Sequence, residues 1–573
     1  MAGWSILGAS VGVPHIRPAP PADGNARPPS DDVELYHRTY TTLLRSSGET
    51  WLRVLEPVHR AMGSSLHGLA ASDDIDLGAL IYACRRLPAD VYTARRVVLG
   101  QEAVQFSRAG MRIIEWEARE APARRRRWFA DGAGTLAVLL ASGSDLDDLV
   151  PTLVAYQLEW NKLHRLLIAS PHVDADADAA TCASTLGGTE DDWERLLDAL
   201  GATLEEVREA SLDLRIRMLG GSAVGYARIT RRWWTPVQRM LAELGVADRP
   251  LYLVSSNTHS LANLLSGLPR THEDEVVRWI DREGPQDLRD ELGRFREGRT
   301  RGSWENFLYY AGRDALEPRS AEERATGVTH LSSETALRVS AQVIPLERLQ
   351  PELFDSRLSD VDPAALAAAR GVIVNIEYPL GLAAYNILRE ITTASDTLRG
   401  VYVLGKAATL NAAVGDVMLS SVIFDEHSRS TYWLDNAFSV EDIAPYLLFG
   451  SGLDNQRAVT VKSTFLQNRE YLDLYYREAF TVVEMEAGPF CNAVYEIADV
   501  DRHPSGEAVN FAKLPIDLGI IHYASDTPYT QARTLGARGL SYYGMDSTYA
   551  ATVAIARRIL TLEGAIGQRS PGA

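Results

Sequence analysis

Between residues 371 and 562 short apolar runs alternate with helical stretches, and that alternation restricts the fold of this chain more than any other feature. The runs are G-V-I-V-N-I (371–376), V-Y-V-L (401–404), Val417–Phe424, Ala458–Val461, Thr481–Val483 and L-G-I-I-H-Y (518–523). A helical stretch around Leu382–Leu388 follows the first run, and a long helix near Ser547–Leu562 follows the last. A strand that is apolar along its whole length needs cover on both faces, and helices returning between parallel strands supply it. The expected fold class for residues 365–565 is therefore α/β, a mostly parallel mixed sheet covered by helices.

The upstream sequence has a different texture. Trp51, Val54, Leu55, Val58 and Met62 recur at three-to-four spacing, as do Leu149, Leu153, Tyr156, Trp160, Leu163 and Leu167. That periodicity predicts helices, and residues 33–345 read as a mainly helical domain of unassigned role. Leu251–Val254 is an isolated strand signal followed by S-S-N-T-H-S, where Ser255, Ser256 and Asn257 read better as caps of the next helix than as ligands. Residues 1–32 are proline-rich and predict a disordered arm.

Bulk properties exclude several function classes. A chain of 573 residues exceeds one ordinary core, so two or three domains are expected. A net charge of −18 argues against a nucleic-acid partner, which needs a basic face to displace counterions. The one basic run, Arg124–Arg127, reads as a solvated face, with contact to a phosphate or an anionic partner as the lesser alternative. Three separated cysteines, Cys84, Cys182 and Cys491, cannot form a disulfide framework, which suits a reducing, cytoplasmic setting. No signal-peptide pattern opens the chain, and no apolar stretch approaches the ~18 residues a membrane span requires. Asp174, Asp176 and Asp178 imitate the start of a calcium loop. Ala179 and Thr185 stand where its glycine and glutamate belong, so no metal is expected there. No cofactor is expected either.

The polar residues cluster where the downstream strands end: N-I-E-Y-P-L (375–380), G-K-A-A-T-L-N-A-A-V-G-D-V (405–417), S-T-F-L-Q-N (463–468), V-E-M-E-A-G (483–488) and A-S-D-T-P (524–528). Their order and spacing resemble the nucleoside phosphorylase and nucleosidase superfamily, which includes purine nucleoside phosphorylases, methylthioadenosine nucleosidase and AMP nucleosidase. The resemblance spans residues 368–565 and leaves residues 1–345 unaddressed. It implies that Glu486 accepts hydrogen bonds from the sugar hydroxyls, with Met485 against the sugar face. It implies that Asp526, beside Ser525, protonates the leaving base, and that Phe465 and Leu466 hold that base. Glu377 is similar to the glutamate that positions water in the hydrolytic branch. Assembly into a homo-oligomer is also implied.

Two departures stand out. The turn Gly405-Lys406-Ala407-Ala408 is less glycine-rich than the superfamily's, and no residue matches the phosphate-binding arginine of the phosphorolytic members. Lys406 is the residue expected to face an anion, either inorganic phosphate or a nucleotide's phosphate. The excursion Asp499–Lys513 is longer than small nucleosidases need.

The chemistry agrees with the resemblance. An N-glycosidic bond breaks through an oxocarbenium-like sugar, and a purine leaves readily only once protonated. A positioned general acid contributes about 10²–10⁴-fold, and a carboxylate on the sugar strengthens its hold as positive charge develops. Glu486 takes the sugar, Asp526 the base, and Glu484 points away into a salt bridge or solvent. The expected function is purine N-glycosidic cleavage, by hydrolysis in preference to phosphorolysis because Glu377 is present and the arginine is not. A second class stays open: a non-catalytic nucleoside sensor whose helical half engages a partner. His522 and Cys491 read as core residues.

Overall fold

The computed structural model describes residues 29–46, 48–316, 320–498, 505–511, 513–528 and 542–567. Most of the expected arm at 1–32, and much of the excursion 499–513, lie outside these residues. Two sheets organise what is described.

The first sheet lies upstream. Its strands are β1 (Thr50–Trp51), β2 (Arg96–Gly100), β3 (Glu117–Ala121), β4 (Arg124–Ala130), β5 (Thr135–Leu139) and β6 (Arg215–Met218), in the order β1-β6-β2-β5-β4-β3. The central strands R-V-V-L-G and T-L-A-V-L pair in parallel and are largely buried, while the outermost strand, E-A-R-E-A, is mostly exposed. Residues 33–345 do carry more helix than strand, but the helical reading left out the strands of this sheet. Apolar runs of five residues are too short to show a helical period, and they settle as strands once neighbours complete the hydrogen-bond ladder. The segment Trp51–Met62 likewise divides into the end of β1, a 3₁₀ turn at Leu52–Val54 and a short helix at Glu56–Ala61. The helix read from Leu149–Leu167 is present and longer, Gly143–Ala169.

The second sheet has eleven strands. They are β7 (Leu251–Ser256), β8 (Thr329–Leu331), β9 (Ala341–Pro345), β10 (Val372–Glu377), β11 (Leu398–Thr409), β12 (Val417–Asp425), β13 (Ser430–Leu434), β14 (Gly452–Thr460), β15 (Val482–Glu484), β16 (Ala508–Phe511) and β17 (Asp517–Asp526). Each of the six apolar runs lies on one of them, and the helices Leu382–Ala394 and Tyr542–Leu562 follow where expected. The chain is mixed α/β. The sheet, however, begins at Leu251 rather than near 365, because β10 pairs in parallel with β7 and antiparallel with β9. Asn257 caps the helix after β7, its Oδ1 accepting the N–H groups of His259 (3.0 Å) and Ser260 (2.6 Å).

Parallel pairing does not run throughout. β17 is parallel to β11 but antiparallel to β12. β14 is parallel to β12 and β15, and β15 is antiparallel to the end of β11. These five strands each pair with two of the others. The G-K-A-A segment is the far half of β11 itself, not a turn, with a register shift between Ala407 and Ala408. That irregularity lets β11 leave β17 and meet β15. Among the described residues no helix is long and apolar enough to cross a membrane.

Candidate active site

Where β11 passes from β17 to β15, a cavity of about 340 Å³ opens. Gly405, Lys406, Ala407 and Ala408 form one side, Val483–Glu486 a second, and Ser525 with Asp526 a third. Tyr378, Pro379 and Leu380, just beyond β10, line it too. Six residues singled out from sequence, Gly405, Lys406, Met485, Glu486, Ser525 and Asp526, thus share one space.

The Glu-Met-Glu stretch sorts itself by hydrogen bonding. Glu484 turns back: its Oε2 accepts the backbone N–H groups of Glu486 and Ala487, both at 2.7 Å, and Oε1 accepts from the Thr460 hydroxyl. It therefore caps the helix Ala487–Ala498, where unsatisfied N–H groups favour a carboxylate. His522 Nε2 stands 3.8 Å away. Glu484 is buried among these groups rather than solvated, which corrects the solvent alternative. Its neighbour Glu486 lines the cavity, with a 3.5 Å contact from the Gly381 N–H. Burial, and then the charge of Glu484, push its carboxyl up to about 8. Gly381 has φ +50°, and a Cβ there would meet Ser144 Oγ at 2.3 Å, so only glycine lets this loop close over the glutamate.

Asp526 is the last residue of β17 and is buried, facing Ala408 across the ladder. The adjacent Ser525 hydroxyl donates to Ala407 O at 3.3 Å. Lys406 lines the cavity with its side chain exposed. Although it stays open to solvent, desolvation by the cleft walls lowers the pKa of its ammonium, Asp526 raises it, and Arg86 and Arg124 lower it.

Three expected residues lie elsewhere. Phe465 is buried against the rings of His59, His67 and Tyr82, and Leu466 is in the core; their neighbours Thr464 and Gln467 are the ones that reach the cavity. Glu377 is outside the lining and forms an ion pair with Arg125, which also donates to Tyr378 O at 2.8 Å.

Sequence reasoning missed the fourth side of the cavity, which comes from the upstream sheet. The run Arg124–Arg127 lies in β4, so its side chains alternate between two faces. Arg126 donates to Asp145 Oδ1 (2.9 Å) and Asp148 Oδ2 (2.8 Å). Arg124 grips the same Asp148 with two bonds of 3.0 Å. Burial opposes ionisation of Asp148, but the two guanidiniums outweigh it and hold its carboxyl well below the usual range. Arg124, Arg125 and Arg126 all line the cavity, so the reading of a solvated face is corrected. Arg86 and Tyr82 join them from the helix Leu77–Cys84 and its end, the Arg86 guanidinium lying 3.3 Å over the Tyr82 ring. The signal that could have found this side was R-R-R-R followed by W-F-A, a basic run merging into an apolar one within a single strand length.

A family model described as a family of unknown function (DUF6909) matches residues 52–561, and the chain belongs to that family. The match crosses both sheets. No curated protein matches the chain in sequence. Solved structures similar to part of it include S-adenosylhomocysteine nucleosidase from Streptococcus pyogenes in complex with 5-methylthiotubericidin (9% identity, 55% of this chain and 97% of that one, TM-score 0.30). The MTA/SAH nucleosidase of Streptococcus pneumoniae in complex with 8-aminoadenine is similar at 10% identity, covering 53% and 98%, TM-score 0.30. Uridine phosphorylase from Schistosoma mansoni in complex with thymidine is similar at 9%, covering 57% and 91%, TM-score 0.30. Likenesses this slight carry no argument of their own.

Proposed function

We propose that this member of the DUF6909 family cleaves the N-glycosidic bond of a purine nucleoside, nucleotide or related compound. One observation carries the reading: Glu486 and Asp526, forty residues apart in sequence, face one cavity, Glu486 from just beyond β15 and Asp526 from the end of β17. Two separate carboxyl groups are what the reaction needs, one for the sugar and one for the departing base. In this reading Asp526 delivers the proton to the base. Glu486 binds the sugar hydroxyls, and Met485 packs against the sugar face. Ser525, held to Ala407 O, fixes the turn that presents Asp526.

Activation of the acceptor is not assigned to Glu377, because its carboxylate is engaged by Arg125. Water or phosphate as acceptor is decided by experiment. Purified protein is incubated with a panel of nucleosides and nucleotides, with and without phosphate, and free base is measured. Base release that needs phosphate identifies phosphorolysis, and release without it identifies hydrolysis. No base from any member of the panel, while a nucleoside still binds, would leave the sensor reading in place of the enzyme.

A further inference from the structure

Most cations that line the cavity are held by carboxylates, and one from the upstream side is not. Asp148 is shared between Arg124 and Arg126, and Asp145 is taken by Arg126. Arg125 is paired with Glu377. That accounts for the carboxylates near β4. Arg86 is left with no ion pair among the described residues. It is 5% exposed, its Nη1 donates to Tyr82 O (3.1 Å), and its buried Nε has no hydrogen-bond partner. A buried guanidinium donor without an acceptor is costly unless something else occupies that position. Lys406, on the facing side, likewise makes no ion pair or hydrogen bond among the described residues.

We propose that Arg86, Arg124 and Lys406 form a subsite for a phosphoryl group, built by the upstream half of the chain onto the nucleoside cavity. None of the upstream residues lies in the segment that resembles the superfamily, so this gives residues 82–126 a task that the resemblance does not reach. The chemistry is suited to it. A guanidinium presents paired donors to two phosphoryl oxygens, and an ammonium supplies a movable point charge from the opposite side. Tyr82 holds the Arg86 plane from below, fixing where its edge points. Arg124 is oriented by its two bonds to Asp148, so its direction is set before any ligand arrives. The mutual repulsion of the three cations is relieved by a dianion. The Arg86 pKa is lowered to about 10, chiefly by burial; Tyr82 and Asp148 raise it and Arg124 lowers it.

The inference deepens the nucleoside-cleavage reading by naming a phosphorylated ligand, and it rests on that reading for the identity of the rest of the ligand. Its test is a binding measurement, independent of turnover. Inorganic phosphate, ribose 5-phosphate and ribose are titrated into the full-length protein by calorimetry, alongside Arg86→Gln and Lys406→Met. Phosphate and ribose 5-phosphate are expected to bind, ribose at least tenfold more weakly than its phosphate, and both variants are expected to weaken the anions tenfold or more. Because Arg86 packs on Tyr82, its variant could lose structure for other reasons; Lys406 is exposed and unpaired, so Lys406→Met keeps the test decisive. Wild-type protein that binds neither anion, or variants that bind both as tightly as wild type, would overturn the subsite. Tighter binding of ribose 5-phosphate than of phosphate assigns the group to the substrate, and equal binding with phosphate-dependent base release assigns it to inorganic phosphate. Variant-sensitive anion binding with no base released from any nucleotide leaves the subsite standing and removes the cleavage reading alone.

Discussion

The two sides of the cavity are built on opposite plans. On the upstream side the charged groups are fastened to each other: Arg124 and Arg126 share Asp148, and Asp145 both holds Arg126 and caps its own helix through the N–H groups of Ala141 and Ser142. On the β11–β15–β17 side, Glu486 makes few contacts, and the fastening is done by Glu484, two residues before it, and by Ser525, one residue before Asp526. A side whose charges neutralise one another positions a ligand. A side whose carboxyl has been moved off its ordinary range changes its charge with pH and with what the cavity receives.

The largest expected effect breaks the upstream side. Asp148→Ala leaves the buried Arg126 and the partly buried Arg124 without their common carboxylate, and breaking a buried pair costs about 3–5 kcal/mol. Thermal unfolding should show a large drop in Tm. Asp148→Asn, which keeps two acceptor or donor positions but no charge, should fall between the two. An Asp148→Ala protein that melts with the wild type would mean that this side is not held by its ion pairs.

Next in size is the reactive side. Asp526→Asn keeps the shape of the side chain and removes its proton, so base release should fall by about 10²-fold or more with KM much less affected. A nitrophenyl riboside, whose leaving group needs no proton, should recover much of that loss, and Glu486→Gln should recover less. Near wild-type rates for Asp526→Asn on both substrates would place the acid elsewhere.

The contrast also explains which parts could be read from the sequence. The carboxyl side was legible because its residues sit at the ends of uniformly apolar strands, where local pattern and position coincide: Val482 and Val483 announce β15, and Glu484–Glu486 must follow. The arginine side was not, because the partners that turn Arg124 and Arg126 inward are Asp145 and Asp148, nineteen to twenty-four residues further on in a different element. Arginine is exposed unless paired, and no local pattern discloses a pair made through tertiary folding. The same cause hid β8 and β9, whose place in the sheet depends on β10 pairing with residues far upstream. Phe465 shows the reverse error: a residue at the expected place in the order whose ring is claimed by the upstream core, by His59, His67 and Tyr82.

A smaller effect, in pH, sharpens the contrast. Glu486 ionises near 8 in the folded chain against an ordinary value of 4.5, because burial and Glu484 disfavour its charge. Between those values the folded state holds a proton that the unfolded state has lost, so this group makes stability fall as pH rises. Glu486→Gln should flatten that part of the stability profile. If the carboxylate is the form that receives the sugar, kcat/KM should rise with a midpoint near 8 in the wild type and lose that limb in Glu486→Gln. A wild-type profile flat from pH 6 to 9 would separate Glu486 from the reaction.

The smallest expected effect is the one that joins the two sides outside the cavity. Arg125 and Glu377 pair across the sheets, with side chains 41% and 31% exposed. An ion pair so open to water is worth between nothing and about 1 kcal/mol, because solvent screens the attraction and both side chains lose freedom. Glu377→Gln should therefore shift Tm only slightly, and that shift should vanish in high salt. Its effect on turnover carries the sharper information. Sequence order placed Glu377 where a water-positioning glutamate would stand, and loss of such a group should cost about 10²-fold in base release. The ion pair places the carboxylate on Arg125 instead, so the expected change is a few-fold at most, equal in Glu377→Gln and Arg125→Met. If Glu377→Gln abolishes base release while Arg125→Met leaves it intact, the glutamate acts on the acceptor, and the pairing with Arg125 is a resting arrangement that substrate displaces.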